Sequence, residues 1–269
     1  MAGSGDSVGT INAIYRFAIK SMAGEELDAV EVGERGLAGD RGRALVDLAS
    51  GAVVSAKNPR KWPTLLDCRA TYPTAPQVDR PAPAVHIALP NGTGVTSDAA
   101  DADRQLSQYF GREVALVTTP RAGQQIEMML PEDPSEMVLE VPIPPGTFFD
   151  EAAVHLLSTA SLRALEAAAP DSNFDIRRFR PNLLIDVPGA SEGFVDNAWI
   201  GHTLAIGDVR LAVVGPCPRC IMTTVPQGDL PKDAAVLRTA AEKNNANVGV
   251  YACVVTGGKI RRGDTVTIV

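Results

Sequence analysis

From Thr10 to Lys20 the chain alternates, with Ile11, Ala13, Tyr15, Phe17 and Ile19 separated by mostly more polar residues, the period of a half-buried strand. Residues 1–8 ahead of it read as a mobile tail. Short apolar runs follow at Leu27–Val32, Ala44–Leu48, Val53–Ser55 and Thr64–Arg69, punctuated by Gly51, Pro59 and Pro63. Val85–Leu89 and Val95–Thr96 flank Pro90-Asn91-Gly92, a turn signal that predicts a hairpin. Asp98 to Phe110 reads as a helix, with Leu106, Tyr109 and Phe110 inward and Gly111 as its stop. Glu113–Thr118 is a further strand. Many short strands and one small helix make the first half lean to all-β.

Residues 129–147 hold Pro131, Pro134, Pro142, Pro144 and Pro145 among acidic residues, the composition of an exposed connecting loop that covers a site. Beyond it, alanine and leucine predict a helix over Thr159–Ala169, ended by Pro170. Leu183–Val187, Val209–Val214, Gly249–Val255 and Thr265–Val269 read as strands, and Lys232–Glu242 as a helix.

A chain of 269 residues can bury one large core or two modest ones. Its net charge of −7 argues against nucleic acid or an anionic membrane as the main partner. Met1–Asp6 lacks the basic start and apolar run of a signal peptide, and no stretch is long enough to span a bilayer, so a cytoplasmic location is the expectation. Four cysteines in this length do not make a disulfide scaffold.

Two of those cysteines, Cys217 and Cys220, lie three residues apart with Arg219 between them, after Val209–Val214 and before the β-branched stretch Ile221–Val225. The pair is expected on a short turn between extended segments. A thioredoxin-like pair would open a helix, which the β-branched residues and Pro226 oppose. A structural zinc site needs about four ligands, and Cys68, Cys253, His86, His155 and His202 supply no second pair at the required spacing. Two readings remain: a pair of small buried hydrophobes, or a thiolate on a soft metal centre with a cation beside it.

Other constellations are equally two-sided. Arg177-Arg178-Phe179-Arg180 is either a solvated basic face or an anion clamp, since guanidinium forms two parallel bonds to phosphate or carboxylate. Gly36–Arg41 is a glycine-rich turn that fits neither a P-loop nor a dinucleotide fingerprint. Ser158 and Ser161 stand at a helix start, where capping is the ordinary role.

Cys217-Pro218-Arg219-Cys220-Ile221-Met222-Thr223-Thr224-Val225 resembles the signature of MOSC proteins, the group related to the C-terminal part of molybdenum cofactor sulfurase. Nearest in likeness are the amidoxime-reducing components and their bacterial relatives. The resemblance continues through Asn173-Phe174, Phe179–Ile185, Trp199, Leu204–Val209, Gly249–Tyr251 and Gly263–Val266, covering most of residues 150–269. It implies a mostly β protein with some α: a MOSC-type β-barrel core over 112–269, an N-terminal β-rich domain over 9–111 packed against it, and a molybdenum-cofactor (Mo-molybdopterin) cleft between them.

The same resemblance makes Cys220 the molybdenum ligand and catalytic residue, with Cys217 less constant. Arg180 and Asn182 match the family's Arg-Pro-Asn segment near the cofactor, Lys20 and Ser21 match a tripeptide that helps hold it, and Arg41 matches an arginine that reaches it. Ser158 and Ser161 are expected to face the pterin phosphate, and Arg219 to favour the anionic form of Cys220. The chain departs from the eukaryotic pattern at Pro226-Gln227-Gly228, where an acidic segment is usual. The implied reaction is reduction of N-hydroxylated compounds such as amidoximes and hydroxylamines, with electrons from a separate electron-transfer protein and its reductase. The alternatives are a sulfur carrier using a Cys220 persulfide, or a cofactor carrier.

Overall fold

The computed structural model describes residues 6–130, 137–144, 147–188 and 193–269. Its largest element is a closed seven-stranded barrel. Starting from Leu183–Asp186, the staves run through Val154–Ser158, Asn247–Thr256, Val209–Pro218, Thr203–Ile206, Thr265–Ile268 and Ser7–Arg16, which pairs back onto Leu183–Asp186. Closure leaves these strands without a free edge. Val154–Ser158 and Leu183–Asp186 are parallel, and such a pair needs a long crossover. Helix α1 spans Ala102–Phe110, α2 Thr159–Ala168 and α3 Ala234–Asn244, and α2 forms part of that crossover.

The barrel interior is aliphatic: Ile11, Ile14, Leu156, Leu183, Leu211 and Val250 are among its buried residues. The first strand does not keep the simple alternation read from sequence. Its register slips between Ile11 and Ala13, so Ile11 and Ile14 enter the barrel while Ala13 joins an outer cluster with Leu165 of α2 and Val236 of α3. A slip of one residue reverses the faces of a strand, and a bulge lets one strand serve two cores.

Ala29–Gly33 pairs with Gly36–Leu37 and Gly258–Arg261 and packs Val30, Val32 and Leu37 into the barrel core, while much of the remaining first half folds into small sheets around a second core. Ala44–Asp47 pairs with Val114–Val117, and Arg69–Thr71, His86–Ala88 and Gly94–Thr96 form the expected hairpin and its neighbour. α1 starts four residues later than expected, but buries Leu106 and ends at Gly111 in the left-handed conformation. Ile19, Met22, Leu45, Trp62 and Leu65 build this core, and Met222 and Val225 of the cysteine segment complete it.

Two expectations are corrected. Residues 129–147 are not wholly loop, because Val138–Pro142 pairs with Gln125–Met129 in an antiparallel ladder. Val138–Val141 can hold a strand, and Pro142 sits at its end, where a missing N–H is tolerated. Pro131, Pro134 and Pro145 lie outside the described residues. The chain around the cysteines also differs. It runs extended through Cys217 to Pro218, and Ile221–Thr223 is a single 3-10 turn instead of a strand. There the Thr223 and Thr224 hydroxyls donate to the carbonyls of Cys220 and Ile221 at 3.0 and 2.8 Å, replacing the ladder bonds a strand would need.

Gly249 marks a close approach between two barrel strands. Gly249 has φ +79°, and a Cβ there would stand 2.4 Å from both His155 Nε2 and the Leu156 carbonyl oxygen. Gly249→Ala is therefore expected to cost about 2–4 kcal/mol, from the left-handed backbone and the overpacking together. Urea denaturation checks this, and an unchanged midpoint would show that the neighbouring strands yield freely.

Candidate cofactor cleft

A cavity of about 430 Å³ opens between the barrel and the second core. Lys20, Ser21, Arg41, Arg180, Asn182, Arg219 and Cys220 all line it, although they are scattered over 200 residues of sequence. Lys57, Asp150, His155 and Tyr251 line it too, and sequence reasoning missed them. Met128, Met129, Leu130 and Val141, from the proline-rich stretch and its partner strand, form an apolar wall. In a chain of net charge −7, this cleft gathers five cationic side chains against Asp150 and Glu151. That imbalance selects an anion.

Three non-glycine residues of the lining have left-handed backbones: Ser21 at φ 64°, Arg41 at 46° and Arg180 at 54°. Such conformations cost about 1–3 kcal/mol each and persist where surrounding structure enforces them. Here the enforcement is visible. Arg41 N–H donates to the Phe17 carbonyl at 2.6 Å, and Arg180 N–H donates to the Ile176 carbonyl at 3.1 Å. Ser21 Oγ accepts from the Ala56 N–H at 3.1 Å, which fixes the segment that carries Lys57.

The cations divide into satisfied and unsatisfied. Lys20, at the end of the first strand's run, is buried and donates to the Phe148 carbonyl at 2.8 Å and to Asp150 Oδ1 at 2.5 Å. Asp150 Oδ2 accepts from Lys57 at 3.2 Å, so one carboxylate bridges two lysines. Burial acts to raise the Asp150 pKa, but Lys20 and Lys57 outweigh it and hold the carboxyl well below the usual carboxylate range. Burial acts to lower the Lys57 pKa, yet Asp150 and Cys220 leave it above the ordinary lysine value. Lys20 ends below that value, because burial dominates there.

The arginines differ. Arg41 pairs with Asp40 and reaches Asn182 Oδ1 and the Arg180 carbonyl, each at 3.4 Å. Arg180 lies over the Phe17 ring at 4.1 Å, and its Nη2 is buried with no partner. Burial, with the charge of Arg41 adding to it, pushes the Arg180 guanidinium down to about 9. Asp40 and Asp150 offset this only in part. Arg219 Nε is likewise buried and unpartnered.

Arg219 interacts electrostatically with Cys220, while its hydrogen bonds go elsewhere. Its Nη1 donates to Cys217 Sγ at 2.7 Å and its Nη2 to the Phe179 carbonyl at 2.8 Å. The thiol it contacts is Cys217, which is fully buried and whose pKa burial raises despite Arg219. Cys220, partly exposed in the cleft, has its Sγ free of that bond. The reason is geometric: Cys217 still belongs to the strand and points inward, whereas Cys220 caps the following turn.

Ser158 and Ser161 are also placed elsewhere. Both are fully buried and neither lines the cleft. Ser158 Oγ caps α2 by accepting from the Ser161 N–H at 3.1 Å, and Ser161 Oγ donates to Asp196 at 2.9 Å. The arginine cluster splits three ways. Arg177 is at the surface, paired with Asp175 and Asp229; Arg178 is buried on backbone carbonyls; Arg180 alone enters the cleft. His155 is held neutral, its pKa lowered to about 3 by burial and by Arg219, with Nε2 3.1 Å from the Val248 carbonyl oxygen. It orders the wall of the cleft. Among the described residues no group of three or more His, Cys, Asp or Glu side chains could hold a metal ion. A metal bound at Cys220 must therefore bring most of its ligands with it.

The same two-part layout appears in the family models that match the chain. The MOSC domain matches residues 144–267 and the MOSC N-terminal beta barrel domain matches residues 8–122. The chain belongs to the MOSC family. This MOSC protein is 26% identical to mitochondrial amidoxime reducing component 2 of Bos taurus, over 96% of its own length and 83% of that protein's. It is 24% identical to the component of the same name from Rattus norvegicus, over 81% and 67%. Similarity to molybdenum cofactor sulfurase of Drosophila melanogaster is 32% identity over 38% of this chain and 12% of that protein. No helix among its described residues is long and apolar enough to cross a membrane.

Proposed function

We propose that this MOSC protein binds the molybdenum cofactor in the cleft and reduces N-hydroxylated compounds, amidoximes and hydroxylamines among them. The observation that carries the reading is the pairing of a partly exposed Cys220 thiol with two buried guanidinium groups whose N–H donors are unpartnered, Arg180 Nη2 and Arg219 Nε. Buried donors without acceptors are costly, and an anionic ligand relieves them. A pterin phosphate is such an anion, and a pterin dithiolene supplies the soft ligands that the chain itself lacks around Cys220. The residues present fit the group. The names of the Bos taurus and Rattus norvegicus relatives support the substrate class.

When bound, the cofactor supplies a two-electron redox centre able to take oxygen from an N–O bond. The chain's own residues set the conditions. Cys220 offers one thiolate; Arg180, Arg219 and Arg41 hold the anionic part; Asp150 keeps Lys20 and Lys57 charged and oriented within the cleft. The apolar wall of Met128, Met129, Leu130 and Val141 limits water.

Electrons come from outside the chain in this reading. A four-cysteine iron–sulfur cluster would need all of Cys68, Cys217, Cys220 and Cys253, consuming the proposed ligand, and Cys68 and Cys217 are buried while Cys253 is exposed. The molybdenum-loaded protein is expected to be inactive with NADH or NADPH alone and active with reduced viologen, or with a small electron-transfer protein and its reductase. Benzamidoxime reduction and molybdenum content, measured together, test this. Turnover with NADH and the isolated chain would refute the external-donor reading. Full molybdenum loading without turnover on any reductant would favour a cofactor carrier, and a Cys220 persulfide without molybdenum a sulfur carrier.

A further inference from the structure

Arg178 is the largest of the fully buried side chains among the described residues, 1% exposed, and no carboxylate among them is hydrogen-bonded to it. Its guanidinium is satisfied instead by four backbone carbonyls. Nε donates to Asn173 at 2.9 Å, Nη1 to Thr223 at 3.1 Å and Val225 at 3.4 Å, and Nη2 to Pro231 at 2.8 Å. Burial lowers its pKa, partly offset by Asp233 and Asp175. A buried cation is retained against its desolvation cost where its donors are used, and the fork shape of arginine sets four of its five N–H groups on a curved backbone segment.

The segment it grips is the one that follows Cys220. Thr223 is the joint. Its N–H and its Oγ1 both donate to the Cys220 carbonyl, at 3.1 and 3.0 Å, while its own carbonyl is held by Arg178. Asp233 N–H donates to the Thr224 carbonyl at 2.8 Å, closing the loop behind. Two residues along the chain, just past the short turn Ile176–Arg178 and its cap Phe179, Arg180 enters the cleft. One short segment therefore carries both the unpartnered guanidinium and the brace for the cysteine.

We propose that Arg178 is a positioning residue that sets the place of Cys220 through Thr223. It touches neither the cleft nor the sulfur, and it acts by holding the 3-10 turn whose first carbonyl is that of Cys220. The use of Cys220 as a metal ligand rests on the function proposed above, but the positioning itself does not, so it is tested on the thiol directly.

The experiment takes the full chain from cells unable to make the molybdenum cofactor, so that Cys220 is free in every molecule. Iodoacetamide labelling followed by peptide mass spectrometry gives the alkylation rate of Cys220 relative to that of exposed Cys253, which serves as the internal standard. Arg178→Lys keeps the charge and loses the fork. It is expected to raise the Cys220 to Cys253 ratio, because the loosened turn no longer holds Cys220 packed against the second core. Thr223→Val keeps the shape and removes only the hydroxyl link to Cys220, and should raise the ratio in the same direction. A folded Arg178→Lys protein, by circular dichroism, with a wild-type ratio overturns the proposal. Should Arg178→Lys not fold, Thr223→Val decides, and an unchanged ratio there overturns it equally. Molybdenum content of the same variants made in cofactor-competent cells is read separately. A raised ratio with wild-type molybdenum content would leave Arg178's role intact and count against Cys220 as the ligand.

Discussion

Cys220→Ala is expected to abolish reduction of benzamidoxime while leaving the protein folded. The sulfur is partly exposed in the cleft and belongs to the edge of the second core, so its loss removes little buried area. If it ligates the metal, the fall in activity exceeds the roughly 10–100-fold cost of losing an outer-shell partner. Cys217→Ala is expected to behave in the opposite sense. That side chain is fully buried and accepts from Arg219 Nη1, so its removal leaves a buried donor without a partner, a cost of about 1–3 kcal/mol in stability. Its activity, where folded, should fall less. Full activity in Cys220→Ala, or equal loss from both variants at equal stability, would remove Cys220 from the metal.

Arg180→Ala should lower molybdenum and pterin content together, by about ten- to a hundredfold in affinity. A charge-assisted bond to phosphate contributes roughly 1.5–3 kcal/mol, which converts to that range. Arg180 is chosen over Lys20 because of what each already holds. The Lys20 ammonium is engaged by Asp150 and the Phe148 carbonyl, whereas Arg180 Nη2 has no partner. Lys20→Ala should therefore cost occupancy less, and Arg180→Lys should recover part of it by restoring the charge without the fork. Metal analysis and pterin fluorescence on the purified variants read the result. Wild-type cofactor content in Arg180→Ala would reassign this arginine to the packing of Phe17.

Many strands, and the three helices among the described residues, were readable from alternation, propensity and stop signals such as Gly111 and Pro170, which act locally, but the staves Val154–Ser158 and Thr203–Ile206 were not. The register slip in the first strand was not, since a bulge is decided by the partner strand. At the cleft, a motif led to Arg41, Arg180 and Cys220, but not to Lys57 or Asp150. Each is a single charged residue in an unremarkable setting, Ser55-Ala56-Lys57 and Phe148-Phe149-Asp150, and only their meeting in space gives them a role. The three left-handed residues are a signal of the same kind: nothing in the letters Ser21, Arg41 and Arg180 announces a strained backbone. Ser158 and Ser161 show the converse, since hydroxyls at a helix start serve the helix first.

The seventh stave of the barrel has a consequence for how the chain is made. Ser7–Arg16 leaves the ribosome well before two of its three neighbours, since beside the local Glu25–Leu27 it pairs with Leu183–Asp186 and Thr265–Ile268. Its inward residues Ile11 and Ile14 have no permanent shelter until strands some 170 and 250 positions later have been synthesised. Loop closure over such separations is slow, and an apolar strand waiting that long is exposed to wrong pairing. Vectorial synthesis thus sets the order of events. The sheet of Arg69–Thr71, His86–Ala88 and Gly94–Thr96, whose pairings are short in sequence, and α1 can form early, whereas the barrel and the cleft beside it wait for Leu183–Asp186 and Thr265–Ile268.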